Sequence, residues 1–231
     1  MALILHIDTA QEEATVALSH NDQILQVLHN ADQKQHASFI QPAIQQIMQH
    51  STFNIQTLTA VSIIAGPGSY TGLRVGLASA KGLCYALNIP LITLNTLEVM
   101  AMAAINVSTH QHINASTLFC PMIDARRDEV FTALYDHKLN SILKPCAMIL
   151  NEQSFMEMKK SHELVFLGSG AAKWNVICTD NNKIDISATN IAEAQVLLAH
   201  HYFKHKIFAD VTYAEPFYIK DFYNHVQKKS N

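Results

Sequence analysis

The sequence predicts an α/β protein, a mixed sheet with helices on its faces. Three observations carry that prediction. Short apolar runs separated by polar turns open the chain. From Ser38 onward, apolar residues recur at intervals of three and four. Strand-like and helix-like segments then alternate, the pattern of layered α/β units. With 231 residues, 49% hydrophobic and 15% charged, the chain can build a large core or two subdomains. Such a composition excludes intrinsic disorder, which needs low hydrophobicity and high net charge.

Each element has its own signal. Leu3, Leu5 and Ile7 alternate with Ile4, His6 and Asp8, and Ala14–Leu18 and Ile24–His29 follow across polar turns, so the opening reads as an antiparallel meander. Phe39, Ile40, Ala43, Ile44, Ile47 and Met48 mark an amphipathic helix over Ser38–Ser51, with Pro42 in its first turn or kinking it. Val61–Ala65 reads as a buried strand, Gly72–Leu87 as a helix, Pro90–Leu94 as a strand and Thr96–Ile105 as a helix. The polar run 106–116 reads as a linker, dividing the chain into an N-terminal subdomain, 1–106, and a smaller C-terminal one, 107–231. There, Leu118–Ile123 and Val130–Tyr135 flank a DARRDE turn as a hairpin. Helices around Asn151–Lys160 and Asn190–Lys206 bracket further short strands, and the last helix is expected to pack back on the first subdomain.

Several function classes are disfavoured at once. No run reaches the ~18 apolar residues of a membrane span, and the N-terminus reads as neither a signal nor a transit peptide. Cys84, Cys120, Cys146 and Cys178 form no CxxC pair, which suits a reducing cytoplasm and signals no zinc ribbon. A formal charge of −3 argues against strong autonomous binding to nucleic acid. The tail lysines Lys220, Lys228 and Lys229 are too few to change that.

Glycine is concentrated in one place: five of the seven lie between Gly66 and Gly82. AGPGSYTGLRVGLASAKGL runs from a strand into a helix, so its amides suit an anion. Yet the spacing is neither GxxxxGK[ST] nor GxGxxG. Gly76 and Gly82 each cost about 1 kcal/mol against alanine in a helix interior. Gly72, Gly76, Ser79 and Ala80 form a smooth stripe on one side, suited either to packing within the chain or to a partner's helix.

These residues carry a resemblance. ILHIDTAQEEATVAL, QHASFIQPAIQQIM, AGPGSYTGLRVGLASAKGL and PMIDARRDEVFTALY resemble the TsaB family (formerly YeaZ), with LGSGAAKW and AEPFYIKDF as looser later matches. The resemblance implies an actin-like, Hsp70-like (ribonuclease H-type) fold of two related subdomains. It implies a subunit of the machinery making threonylcarbamoyladenosine beside the tRNA anticodon, paralogous to TsaD, which performs the transfer. The expected role is that of a non-catalytic scaffold and activator. TsaD is the expected heterodimer partner, TsaE the associated ATPase, and tRNA an indirect partner. Alone, the chain is expected to form a homodimer. The implied interface lies on the first two helices, here Phe39, Ile40, Ala43 and Ile47 with Gly72, Arg74, Val75, Gly76, Ser79, Ala80 and Leu83.

The residues disfavour catalysis by this chain. TsaD-like subunits hold a metal with two histidines four apart on the first helix; here His36 is followed four residues later by Ile40. His201 and His205 have that spacing but lack a third ligand, and read as a solvated helix face. No metal is therefore expected. Where ATPases of this fold place a glycine turn after the first strand's acid, Asp8 and Thr9 lead into Ala10, Gln11, Glu12 and Glu13. Asp8 and Thr9 read as turn caps before nucleotide ligands, and Gly66, Gly68 and Ser69 as a weak nucleotide contact if any. The chain is expected to have no cofactor of its own, ATP and magnesium entering through partners. The alternative is a weak ATPase or transferase acting alone. A peptidase fits poorly, because Ser69 lies outside a GxSxG elbow and no zinc motif is present. Arg126 and Arg127 suit a phosphate or a partner's carboxylates, though Asp124, Asp128 and Glu129 beside them suggest self-neutralisation.

Overall fold

The meander forms because its turns are polar and its strands apolar on both faces. β1 (Leu3–Asp8) is buried throughout and pairs antiparallel with β2 (Ala14–His20), Leu5 opposite Leu18. Beyond it lies β3 (Gln23–Asn30), a half-exposed edge. On its other side β1 pairs in parallel with β4 (Ala60–Gly66), and β4 with β5 (Leu91–Asn95), giving the order β3-β2-β1-β4-β5. The computed structural model describes residues 2–108, 114–177, 184–185 and 190–220. Cys178, Lys228 and Lys229 lie outside them.

Helices cover both faces, which is why the central strands carry no polar alternation. On one face α1 (His36–His50) and α2 (Tyr70–Leu87) bury Ile40, Ile44 and Ile47 with Leu77, Ala80 and Cys84 against Leu5, Ile7, Val61 and Ile63. On the other, α3 (Thr96–Ser108) is joined by α6 (Ile191–Lys204), whose Ala194, Leu198 and Ala199 pack with Ile4, Ile64 and Ile92. Buried Gln195 of α6 donates from its amide to the Ile7 carbonyl at 3.0 Å. Pro42 stands in the second turn of α1 rather than the first, on an exposed position.

A second sheet repeats this topology. β6 (Thr117–Asp124), β7 (Glu129–Tyr135) and β8 (Ser141–Ile149) form an antiparallel meander. Parallel β9 (Glu163–Leu167) and β10 (Ile184–Asp185) complete the order β10-β9-β6-β7-β8. Two expectations need correction here. The helix around Asn151–Lys160 shrinks to α4 (Met156–Lys159). Asn151 instead accepts the Gln153 amide through its side chain, and Phe155 turns into the left-handed region at φ 63°. The polar run read as a linker from 106 begins inside α3, which continues to Ser108. β8 and α5 (Ala171–Ile177) had no clear sequence signal; β8 carries Lys144 and Pro145, which an edge strand tolerates.

After α6 the chain runs back as an irregular strap. The Ala209 amide donates to the Leu91 carbonyl at 2.8 Å, and Lys81 donates to the carbonyls of Thr212 and Ala214. The Phe217 amide then reaches the Ala65 carbonyl at 2.7 Å, and Lys220 pairs with Glu129 at the start of β7. The strap thus ties the C-terminal end of β4 to the second sheet. Among the described residues no helix is long and apolar enough to cross a membrane.

Candidate functional site

The glycine-rich turn and the end of β1 interlock. Ser69 caps α2, its hydroxyl accepting the Gly72 amide at 3.3 Å. The Ser69 amide donates to the Ala10 carbonyl at 2.7 Å. Thr9, fully buried, donates its hydroxyl proton to the Gly72 carbonyl at 2.7 Å. A Cβ on Gly72 would stand 2.1 Å from the Thr9 carbonyl oxygen, and one on Gly76 2.3 Å from the Thr9 hydroxyl. The glycines admit the chain's own β1–β2 turn.

Asp8 sits beneath this contact, 3% exposed. It accepts the Ala10 amide at 2.8 Å. Burial pushes its carboxyl up to about 6, against that hydrogen bond, and the charge of Glu13 adds to the rise. Asp8 and Thr9 therefore sit as turn caps in this geometry. On the far side of the turn, Gly66 at φ 125° lies under the Phe217 carbonyl, 2.6 Å from where a Cβ would be. Phe217 and Ala10 thus pack against Gly66 and Gly68, and the Ser69 amide is spent on the Ala10 carbonyl, while Gly68 and Ser69 stay partly accessible.

The helix surface read as a partner face divides in two. Ile40, Ala43 and Ile47 of α1 and Gly72, Gly76 and Ala80 of α2 are buried within this chain, against Thr9 and the first sheet. This corrects the expectation that the small-residue stripe meets a partner. Helical spacing shows that two residues share a side, not which side faces the core. Phe39, Val75, Ser79 and Leu83 remain partly accessible and Arg74 exposed. The sequence reading missed a second stripe at the same spacing, Ala78, Gly82 and Ala86, all exposed beside Tyr85. Gly82 has nothing within 4 Å of where a Cβ would point. Its cost in a helix, at a spacing of four from Ala78 and Ala86, was the signal available in the sequence. Next to this stripe a groove of about 620 Å³ is lined by Pro42, Ile44, Met48, Phe53, Ile55 and Leu83, with glutamines along its rim.

Histidines take structural places. His36 opens α1, 3% exposed, its Nε2 3.0 Å from the Glu12 carbonyl oxygen, so it braces the β1–β2 turn. His201, on α6, and His205, just beyond its end, are exposed, their tilted rings 4.2 Å apart between centres. Among the described residues no group of three or more histidine, cysteine, aspartate or glutamate side chains is placed to hold a metal ion.

The DARRDE turn departs from expectation. Asp124 pairs with Lys173 at 2.7 Å, which holds its carboxyl below the usual range, and Glu129 pairs with Lys220. Lysines from other elements thus take Asp124 and Glu129, while self-neutralisation holds in part: the Arg126 amide donates to the Asp124 carboxylate at 2.6 Å, the Arg126 charge helps to lower that carboxyl, and Asp128 stands exposed beside Arg127. Arg126 and Arg127 instead project from consecutive left-handed positions, φ 69° and 51°, both exposed.

Against known proteins, residues 27–214 match the family model for TsaD, tRNA N6-adenosine threonylcarbamoyltransferase. The tRNA threonylcarbamoyladenosine biosynthesis protein TsaB of Escherichia coli is 30% identical over 230 residues, covering 94% of each chain. TsaB of Bacillus subtilis is 30% identical over 168 residues, covering 71% of this chain and 70% of its own. Among solved structures, YeaZ from Pseudomonas aeruginosa has a TM-score of 0.78 at 23% identity, covering 94% of this chain and 100% of that one.

Proposed function

The chain belongs to the TsaB family of tRNA threonylcarbamoyladenosine biosynthesis proteins, with the actin-like, Hsp70-like α/β fold, and on that premise we propose that it serves that pathway as a non-catalytic scaffold. In this reading it pairs with TsaD through the outer faces of α1 and α2. TsaE, tRNA, ATP and magnesium join the assembly through partners, and the chain pairs with itself when alone.

One observation carries the reading. The outer face of α2 is small, nearly uncharged and unused by the chain's own fold. Gly82 costs helix propensity yet leaves open space, and Ala78 and Ala86 extend the same smooth line. Tyr85, 86% exposed, supplies the kind of aromatic anchor that interfaces favour. The close packing of Ala10 and Phe217 on the glycine turn, with the Ser69 amide already used, supports the non-catalytic half of the proposal.

Gly82→Glu tests the interface. The new Cβ meets no atom of this chain within 4 Å at an exposed position, and glutamate replaces the poorest ordinary helix former, so the melting temperature should hold or rise. Co-purification with TsaD should weaken at least tenfold, because a carboxylate would be buried against an apolar partner helix. Pairing at unchanged affinity would move the interface elsewhere. Magnesium-dependent ATP turnover by the isolated chain would overturn the non-catalytic role.

A further inference from the structure

Only three arginines occur in the chain, and all three lie at one end of the fold. Arg74 stands in the second turn of α2, just beyond the C-terminal end of β4. Arg126 and Arg127 form the turn beyond the C-terminal end of β6. The strap joins these two ends. Arg74 Nε donates to the Tyr218 hydroxyl at 3.0 Å, and two residues later Lys220 pairs with Glu129 beside the arginine turn. Tyr70, 40% exposed, lies under the Arg74 guanidinium at 4.0 Å, its ring centre 5.7 Å from that of Tyr218.

We propose that this end of the molecule contacts RNA directly, Arg126 and Arg127 gripping backbone phosphates and the Arg74–Tyr70 pair offering a stacking surface to a base. The inference rests on the tRNA-modification reading and deepens it, since that reading leaves the RNA to partners. Guanidinium groups match phosphate with a planar fork of donors, and ring faces beside them suit single-stranded bases. Lys173 and Lys220 pair with Asp124 and Glu129, two of the three carboxylates around the arginine turn, and so bring the local charge to one net positive. Two consecutive left-handed residues form the hairpin tip, and both of their side chains are exposed. An acidic protein surface is the competing occupant. The exposed, planar Arg74 guanidinium, held over the Tyr70 ring, favours RNA, whose bases can stack on it. With a chain charge of −3, long-range attraction contributes little, so the contact is local, weak and strongly salt-dependent.

The test is fluorescence anisotropy of the full chain with a labelled RNA stem–loop across a range of low salt. Arg126→Gln with Arg127→Gln should weaken binding several-fold and make the slope of log K against log salt shallower by about 1.5 to 2. Arg126→Lys with Arg127→Lys should retain most of the slope. Lys138→Gln, on the opposite hairpin between β7 and β8, should change neither value. Arg74→Gln provides a second variant on the other wall, with the same direction expected. Absence of RNA binding at low salt overturns the proposal, as does a slope unchanged in the glutamine pair. Competition by polyglutamate as effective as by RNA would assign the arginines to an acidic protein instead. The glutamine pair should leave co-purification with TsaD intact, so failure here is separate from failure of the scaffold reading.

Discussion

Gly76→Leu should unfold the chain or leave it severely destabilised, while Gly82→Ala, six residues along the same helix, should stabilise it. A Cβ at Gly76 stands 2.3 Å from the Thr9 hydroxyl and 3.0 Å from Ile63 Cδ1, and both side chains are buried, with little room to move aside. The Thr9 hydroxyl is itself fixed by its 2.7 Å bond to the Gly72 carbonyl. Adding a leucine must separate α2 from the β1–β2 turn, breaking that bond and opening the core beneath. Overpacking of this kind costs about 3 kcal/mol or more, a large share of a domain's stability. At Gly82 a methyl group meets nothing and recovers about 1 kcal/mol of helix propensity. Thermal unfolding of both variants decides the matter. A folded Gly76→Leu chain with unchanged melting temperature would mean that α2 turns its other side to the sheet. Pairing tests at Gly76 would be misleading, since loss of the complex would follow from loss of the fold.

Asp8→Asn should stabilise the protein at pH 8 and change the shape of its pH profile. The Asp8 carboxyl is raised from 3.8 to about 6 by burial, so between those values the native state holds a proton that the unfolded chain has released. Stability from this group is present at low pH and is lost as pH rises through about 6. Above that, burying the charge costs about 3 kcal/mol, the upper limit for the gain on substitution. Asparagine keeps an oxygen for the Ala10 amide. His6, two residues back on the same strand, works in the opposite direction. Burial lowers it from 6.5 to about 3, so the unfolded chain takes up a proton that the native state refuses. Its contribution is lost as pH falls below 6.5. Between roughly pH 4 and 6 the two trends cancel in the native protein. In Asp8→Asn only the histidine remains, and that contribution should fall by about 1.4 kcal/mol per pH unit below 6.5. Urea denaturation of both proteins at several pH values isolates Asp8, because every other group is common to the pair. Parallel curves would show that Asp8 is ionised in the native state at pH 5.

The strand–helix order, both hairpin meanders' first strands and the family membership were written in local signals. Leu3 to Asp8 is apolar enough to be central, and the change of period at Ser38 marks the first helix. Periodicity, turn residues and motif spacing are properties of neighbours along the chain, so the sequence alone determined them. It also determined that one helix carries small residues at intervals of four. Only the tertiary structure decided which way they face. Gly72 and Gly76 are small because Thr9, some sixty residues away in sequence, presses its backbone and hydroxyl against them. Gly82 is small with nothing there at all. The arginine turn was settled in the same way. Asp124 and Glu129 lie two residues from Arg126 and Arg127 in sequence, yet Lys173 and Lys220 reach them from other elements, and both arginines stay exposed. Burial and pairing depend on which distant segments the packed fold brings to a given surface, and that is fixed only when the sheets and helices are packed.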